Sequence, residues 1–593
     1  RNKMRQPNIQ KDEFSKAVRP GFHFSAPHGW MNDPCGPGFD PITNTYHLFY
    51  QWNPRGCEWG NMSWGHATSK DLVTWKHSSN TSPALSPDKV YDKEGVFTGC
   101  FIPSGPHGED GMITLFYTSV CHLPIHWLIP YVRGSEGLAA AVSKDGGATW
   151  DKFEGNPILP EEPESLTVTG WRDPYLSRWE SLDQLRGTEG TLYGIISGGI
   201  KNNGPAIFLY AIRPDKLFSW DYIGILTSST PNFRRSSKWS ADLGVNWECG
   251  NFMTLQDKSA NSSREFIICG SEGGHERPWL VEYLDSVQDS VPRRTVSYSF
   301  WLSGSLTKSE DGVSMKIDFD GFLDHGCYYA AGSFYDPIGS RRIVWGWIKE
   351  EDLATRYAKD KGWAGCLALP RELFLQRIPG VIKALKTPLS EITSVYALKE
   401  TQSSRYVIET LGIRPLPELS QLRKGDSAVI EKIILPLDTA KAYLTPFKSA
   451  RWELDTIIEI REGCTAVGFH VRHTTDMKTF TTISFLPQEE EITVIRANSS
   501  TLSDVNRSDE RGAMTLFTRE QGDQLVLEPL TLRIFSDGNT LEIYANERFA
   551  LSTVIYTSEA SAVCLSMFAK GVDGAATFKR TEIWTELGTI YED

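Results

Sequence analysis

From about residue 21 onward, apolar and polar positions alternate in short runs separated by Gly, Pro, Asn and Asp. Tyr46-His47-Leu48-Phe49-Tyr50, Met112-Ile113-Thr114-Leu115-Phe116-Tyr117 and Thr191-Leu192-Tyr193-Gly194-Ile195-Ile196 are aromatic and β-branched stretches of strand length. Long runs with helical spacing are scarce, so the pattern predicts an all-β chain. The texture changes after Pro370-Arg371-Glu372-Leu373, where Leu389 to Glu400 has some helical character and reads as a linker. Alternation returns from about residue 401, in Thr456-Ile457-Ile458-Glu459-Ile460, Thr482-Ile483-Ser484-Phe485 and Leu541-Glu542-Ile543-Tyr544. Charged residues there alternate with apolar ones, as expected of sheets with one wet face.

A faint repeat sharpens the first half. Ser69-Lys70-Asp71 leads to Thr74-Trp75, Ser143-Lys144-Asp145 to Thr149-Trp150, and Asp215-Lys216 to Ser219-Trp220, with Asp-to-Asp steps of 74 (71 to 145) and 70 (145 to 215). That period suits one four-stranded propeller blade with long loops. Each stretch reads as structural punctuation, with Asp bonding local amides and Trp packing beneath. Five such units fill roughly residues 21 to 375. The expected architecture is therefore an N-terminal extension (1–20), a five-bladed β-propeller catalytic domain (21–380), a linker (381–400) and a C-terminal β-sandwich (401–593) without a catalytic role.

Composition narrows the partners. The 593 residues exceed what one core organises, consistent with two domains. A formal charge of -13 supplies no basic field for a nucleic acid, and no apolar run is long enough to span a bilayer. Aromatics at 11%, with 19 Trp, fit many strands or surfaces that stack on sugar rings. Ten cysteines without CxxC spacing argue against a zinc site or a disulfide scaffold. Sequons at Asn61, Asn80, Asn261, Asn498 and Asn506 suggest an extracellular glycoprotein. Residues 1–20 lack a signal-peptide core, so a secreted chain would already have lost its leader.

Three carboxylates stand out by setting and spacing. Asp33 lies in Trp30-Met31-Asn32-Asp33-Pro34, Asp173 in Trp171-Arg172-Asp173-Pro174, and Glu248 in Trp247-Glu248-Cys249. Their separations are 140 (33 to 173) and 75 (173 to 248), or two periods and one, and Thr98 falls near the vacant position between the first two. Singly, an Asp-Pro more often just opens a turn. Together, period-matched positions occupy equivalent places in successive blades and would converge on one funnel. Converging carboxylates repel and raise at least one pKa, while Arg172 is expected to hold Asp173 ionised. One ionised and one protonated carboxyl group is what glycosidic cleavage requires.

With Phe24 through Asp33 and Gly36, Gln51-Trp52-Asn53-Pro54, Trp59-Gly60-Asn61, Trp64-Gly65-His66, Phe97-Thr98-Gly99, Arg172-Asp173-Pro174, Glu248-Cys249 and Trp363-Ala364-Gly365 to Pro370-Arg371-Glu372, the first two thirds of the chain resemble glycoside hydrolase family 32. That family comprises invertases, inulinases and fructosyltransferases. The resemblance implies a retaining β-fructofuranosidase acting on sucrose and fructo-oligosaccharides, with fructosyl transfer at high sucrose and with no metal or other cofactor. Asp33 would be the nucleophile, Asp173 the transition-state stabiliser and Glu248 the acid/base, with carboxyl groups about 5–5.5 Å apart. Asn32, Gln51, Trp59, Thr98, Arg172, Asp92 and Trp347 would bind the fructosyl unit. Departures from the family pattern sit beside the pocket: Cys35 for the usual Asn, Thr98 and Cys100 for Ser, and Gly250 for Pro. Alternatives are an exo-inulinase-type fructan hydrolase, a related arabinoside- or xyloside-cleaving propeller, and a non-catalytic carbohydrate binder. The loop from His122 to Gly134, with Trp127 and Arg133, is expected to rim the pocket.

Overall fold

The structure is a computed structural model describing residues 19–257, 259, 261–310, 312–437 and 442–591; the predicted extension 1–20 lies outside them except for Arg19 and Pro20. Five sheets follow one another along the first part of the chain. Sheet one comprises Gly29–Asp40, Thr45–Asn53, Ser63–Ser69 and Trp75–His77; sheet two, Gly95–Ile102, Ile113–Val120, Glu136–Ser143 and Asp151–Lys152. Sheet three comprises Val168–Arg178, Leu192–Ile200, Gly204–Ile212 and Trp220–Ser228; sheet four, Asn246–Asp257, Ser262–Glu272, Ser297–Ser309 and Gly312–Asp324. Sheet five begins with Tyr328–Asp336, Arg341–Ile348 and Arg371–Ala384. Each is an antiparallel meander, which short connections with turn residues favour.

The first strand of each sheet touches the first strand of the next, and the fifth touches the first, so the innermost strands form a closed ring. Trp363–Ala364 seals it by pairing in parallel with Gly29 and Trp30. Gly365 follows with φ +87°, and a Cβ there would fall 2.3 Å from the Met31 carbonyl oxygen, so only glycine permits this approach. Where the Asp repeat predicted punctuation, Asp71 accepts amide bonds from Val73 (2.9 Å) and Thr74 (2.7 Å), and Trp75 is buried beneath.

Beyond residue 380 the chain departs from the expected boundaries. Leu389–Glu391 is a single 3-10 turn, and Tyr396–Lys399 and Tyr406–Pro415 extend sheet five instead of forming a helical linker and the start of the second domain. Tyr406–Pro415 pairs along almost the whole of Arg371–Ala384, and that ladder outweighs the weak helical pattern. Two six-stranded antiparallel sheets then run from Ala428 to Trp584. They face each other across one core, with Leu454, Ile534 and Ile543 from one sheet and Val467, Phe485 and Met567 from the other. Alternating inward positions thus build the layered packing that the sequence pattern implies.

Candidate active site

Every innermost strand breaks register at a similar place. The breaks fall at Met31/Pro34 and again at Cys35/Gly38, at Phe97/Gly99, opposite Ile195/Ser197 in the strand carrying Arg172 and Asp173, at Glu248/Asn251 and at Tyr329/Gly332. A bulge bends its strand and re-aims side chains. Left-handed φ values mark the same places: Gly36 +44°, Asp173 +62°, Cys249 +52° and Ala330 +54°. Non-glycine residues adopt such angles at a cost, a pattern typical of functional sites. The result is at least one bulge in each innermost strand around one axis, and side chains from every one of these strands line a pocket of about 240 Å³.

Asn32, Asp33, Gln51, Trp59, Thr98, Arg172, Asp173, Glu248 and Trp347 all line it. Thr98 donates to Asp33 Oδ2 at 2.6 Å, and Asn32 Nδ2 to Asp33 Oδ1 at 2.9 Å. Asn32 is itself held by Trp30 Nε1 at 2.9 Å, so the Asp33 carboxyl group has little rotational freedom. The Cys249 thiol lies 3.5 Å from both Asp33 Oδ2 and Asp173 Oδ2, which puts those carboxyl groups side by side. Arg172 reaches Glu248 Oε1 through Nε (3.1 Å) and Nη2 (2.9 Å). Half-exposed Trp59 stands at the rim against Phe97, ring centroids 5.9 Å apart.

Two expectations are corrected. Asp92 does not line the pocket: its carboxylate binds Lys152 Nζ (2.6 Å), Tyr117 Oη (2.9 Å) and the Lys89 amide (2.9 Å), fully buried under sheet two. Nor does Arg172 hold Asp173 ionised. Its hydrogen bonds go to Glu136, Glu248 and Glu272, and burial pushes Asp173 well above the ordinary carboxylate range despite the nearby cation. Asp33 is also raised, by burial first, although Thr98 and Asn32 favour its anion.

With this geometry in place, comparison with known proteins is informative. The glycosyl hydrolases family 32 N-terminal domain matches residues 23–385 and the family's C-terminal domain residues 418–585. The chain belongs to glycosyl hydrolase family 32. A β-fructofuranosidase from Aspergillus kawachii superposes on this family 32 chain with a TM-score of 0.87 at 29% identity, covering 100% of it and 98% of that structure. A fructosyltransferase from A. japonicus gives 0.86 at 25% identity, covering 98% of each chain. The acid β-fructofuranosidase of Solanum lycopersicum is 30% identical over 379 residues, 64% of this chain and 52% of that one. For insoluble isoenzyme 1 of Oryza sativa subsp. indica the figures are 28% over 395 residues, 66% and 60%. The chain thus spans between half and two thirds of these plant relatives.

Sequence reasoning missed three members of this family 32 site: Glu136, Glu272 and Tyr329. Tyr329 lies 81 residues after Glu248 and donates to Glu248 Oε2 at 2.7 Å. It occupies the fifth period, and carrying the 33–98–173–248 spacing one step further would have pointed to its neighbourhood. Glu272 stands across the hairpin from Asn246, binds Arg172 Nη2 at 2.8 Å, and is pushed up to about 7 by burial and by the charge of Glu248. Of the rim loop, Leu123 and Ile125 reach the pocket, whereas Arg133 turns away to the Glu162 carbonyl at 2.6 Å. Cys35 lies behind the wall, 3.7 Å from Thr98 Oγ1, and Cys100 and Cys249 are likewise buried. A second cavity of about 460 Å³ follows the same strands downstream and shares Thr98 and Asp173 with the pocket, so these side chains form a wall between two chambers.

Proposed function

We propose that the chain is a retaining β-fructofuranosidase, built on a five-bladed propeller, that releases terminal β-D-fructosyl units from sucrose and related oligosaccharides. The observation that carries this reading is Asp33, Asp173 and Glu248 converging on one pocket with Asp33 fixed by Thr98 and Asn32. Glu248 protonates the glycosidic oxygen while Asp33 attacks the anomeric carbon, forming a fructosyl ester. Glu248, now ionised, takes a proton from water or from a sugar hydroxyl, which attacks the same carbon and frees Asp33.

The electrostatics of the pocket support an oxocarbenium-like transition state. Five carboxyl groups and one guanidinium line it, an arrangement ill-suited to the empty pocket and well suited to developing positive charge on a sugar. Raised Asp33 and Asp173 report that mismatch in the free protein. Apolar Leu123 and Ile125 on the rim give a sugar acceptor a surface that water cannot use, which supports fructosyl transfer at high sucrose. No helix among the described residues is long and apolar enough to cross a membrane, and cell-wall and insoluble isoenzymes among the plant relatives support an extracellular protein. Of the five sequons, Asn506 is buried and donates to the Pro292 carbonyl at 3.1 Å, so glycans would sit on the exposed sites.

Asp33→Asn is the direct test. The amide keeps the shape but not the nucleophile, so sucrose turnover should fall on the order of 10⁴-fold with the melting temperature preserved. Near wild-type turnover would remove Asp33 from the mechanism. Counting free glucose against free fructose across sucrose concentrations then measures transfer: an excess of glucose that grows with sucrose is expected, and equal amounts at every concentration would exclude transfer.

A further inference from the structure

Four arginines among the described residues are buried, and three of them face carboxylates. Arg172 meets Glu136, Glu248 and Glu272; Arg371 meets Asp324 and Glu542; Arg496 meets Asp352 and Glu510. Arg472, in the second domain, is the exception. It is 6% exposed, and Nε donates to the Ala562 carbonyl at 2.8 Å. Nη1 is buried and has no partner among the described residues. A guanidinium keeps its charge in proteins, so Arg472 is a cation without an anion, which burial penalises heavily.

Local backbone geometry turns this side chain inward. Arg472 is the penultimate residue of the strand Cys464–His473, and its φ of +46° is a left-handed value that non-glycine residues adopt at a cost. The ladder to Cys564–Gly571 breaks register between His470 and His473, so the strand bulges at this place. The adjoining segment adds donors. Thr481 pairs with Val471, and the Thr479 carbonyl accepts from the Thr474 amide at 2.9 Å, so both threonines flank Arg472 along the chain pairing. Their hydroxyls are buried and likewise lack a partner among the described residues.

The acids of this corner are committed elsewhere. Asp476 accepts from Thr474 Oγ1 at 2.6 Å and pairs with Lys478 at 3.1 Å, while Asp537 pairs with Arg451 (3.1 Å) and His23 (2.9 Å). Burial, and behind it the positive charge of Arg451, lowers Arg472 to about 10, which still leaves it protonated at neutral pH. We propose that Arg472 is the centre of an anion site that takes a monovalent, chloride-sized ion on Nη1, with the Thr479 and Thr481 hydroxyls as further donors. Guanidinium and hydroxyl groups donate, so the ligand that complements them is an acceptor. The charge to be balanced is one, and the enclosed position favours a halide over a sulfate or a sugar acid. Such an ion does for Arg472 what carboxylates do for the other three buried arginines.

Thermal melts at fixed pH and fixed sodium concentration test the site, with bromide or chloride replacing the bulky anion gluconate. A ligand that binds only the folded protein raises its melting temperature, here by about 1–4 °C for each tenfold rise in halide once the site begins to fill. Arg472→Met removes the charge and keeps an apolar filler, so its melting temperature should not follow halide in this way. A halide effect of equal size in both proteins, or none in either, overturns the site. Should Arg472→Met fail to fold, wild-type crystals soaked in bromide decide alone. An anomalous scattering peak beside Arg472 Nη1 is expected, and saturating bromide without a peak there overturns the proposal. Neither measurement involves a sugar substrate.

Discussion

Two regions of this molecule each gather five carboxyl groups out of bulk water, with opposite outcomes. In the pocket, Asp33, Glu136, Asp173, Glu248 and Glu272 surround Arg172, the single cation among the described lining residues. At the seam between the ring of sheets and the C-terminal domain, Asp324, Asp352, Glu510, Asp537 and Glu542 meet Arg294, Arg371, Arg496, Arg451 and His23. Burial penalises the charged form in both places. At the seam the cations more than offset it, so Asp352 and Glu542 drop to about 2; in the pocket they do not, and Glu272 climbs to about 7. The seam is neutralised and therefore structural. The pocket is left short of positive charge, which a substrate developing a cation would supply.

Cutting the seam is the harshest test of that contrast. Arg371 is fully buried and bridges Asp324 (2.9 Å) in the ring with Glu542 (3.0 Å) and Ser552 (2.7 Å) in the second domain. Arg371→Met leaves buried Asp324 without its cation and Glu542 with His23 alone, a loss of about 3–5 kcal/mol in unfolding free energy. Urea unfolding at pH 7 measures it. A loss below about 1 kcal/mol would mean that the seam acids are stabilised by something other than their cations.

His23 gives a gentler and pH-dependent version. Burial alone would lower it, but hydrogen bonds at 2.9 Å to Asp537 and to Glu542 outweigh burial and lift it to about 9. The folded value exceeds the ordinary 6.5, so its contribution is complete below pH 6.5 and disappears as pH rises through 9. His23 should cost wild-type protein about 2–3 kcal/mol between those limits, and His23→Gln should keep only the smaller loss near pH 7 that Glu272 contributes. Parallel slopes in the two proteins would show that the alkaline loss originates elsewhere.

The same contrast explains what could be read from the chain. Asp33, Asp173 and Glu248 were legible because each sits on an innermost strand at one period, beside a Trp, so spacing alone implied convergence. Tyr329 escaped because its step of 81 residues overshoots the earlier ones, and Glu136 and Glu272 because they reach the pocket from second or third strands, where the period says nothing. Asp92 enters through the family resemblance alone, and a resemblance does not announce whether a lysine such as Lys152 already faces the carboxylate. The boundary at 401 failed for a related reason: Tyr406–Pro415 alternates like a sandwich strand, and only its long-range ladder to Arg371–Ala384 assigns it to sheet five.

The finest distinction comes from making one substitution, carboxylate to amide, in each region. Glu272 titrates at about 7 in the folded protein, above its ordinary 4.5, so its stabilising contribution is complete below pH 4.5 and lost as pH rises through 7. At pH 8 wild-type protein carries an ionised Glu272 beside Glu248, and Glu272→Gln removes that repulsion. The variant should be more stable by about 1 kcal/mol at pH 8, with no gain at pH 4 where the proton is already bound. Glu510 is held below its ordinary range because Arg294 and Arg496 outweigh burial, so its contribution is present above pH 4.5 and lost as pH falls. Glu510→Gln should therefore lower the melting temperature at pH 8, the reverse of its counterpart. Thermal melts of both variants at pH 4 and pH 8 make the comparison, and shifts of the same sign at pH 8 would erase the difference between the two regions.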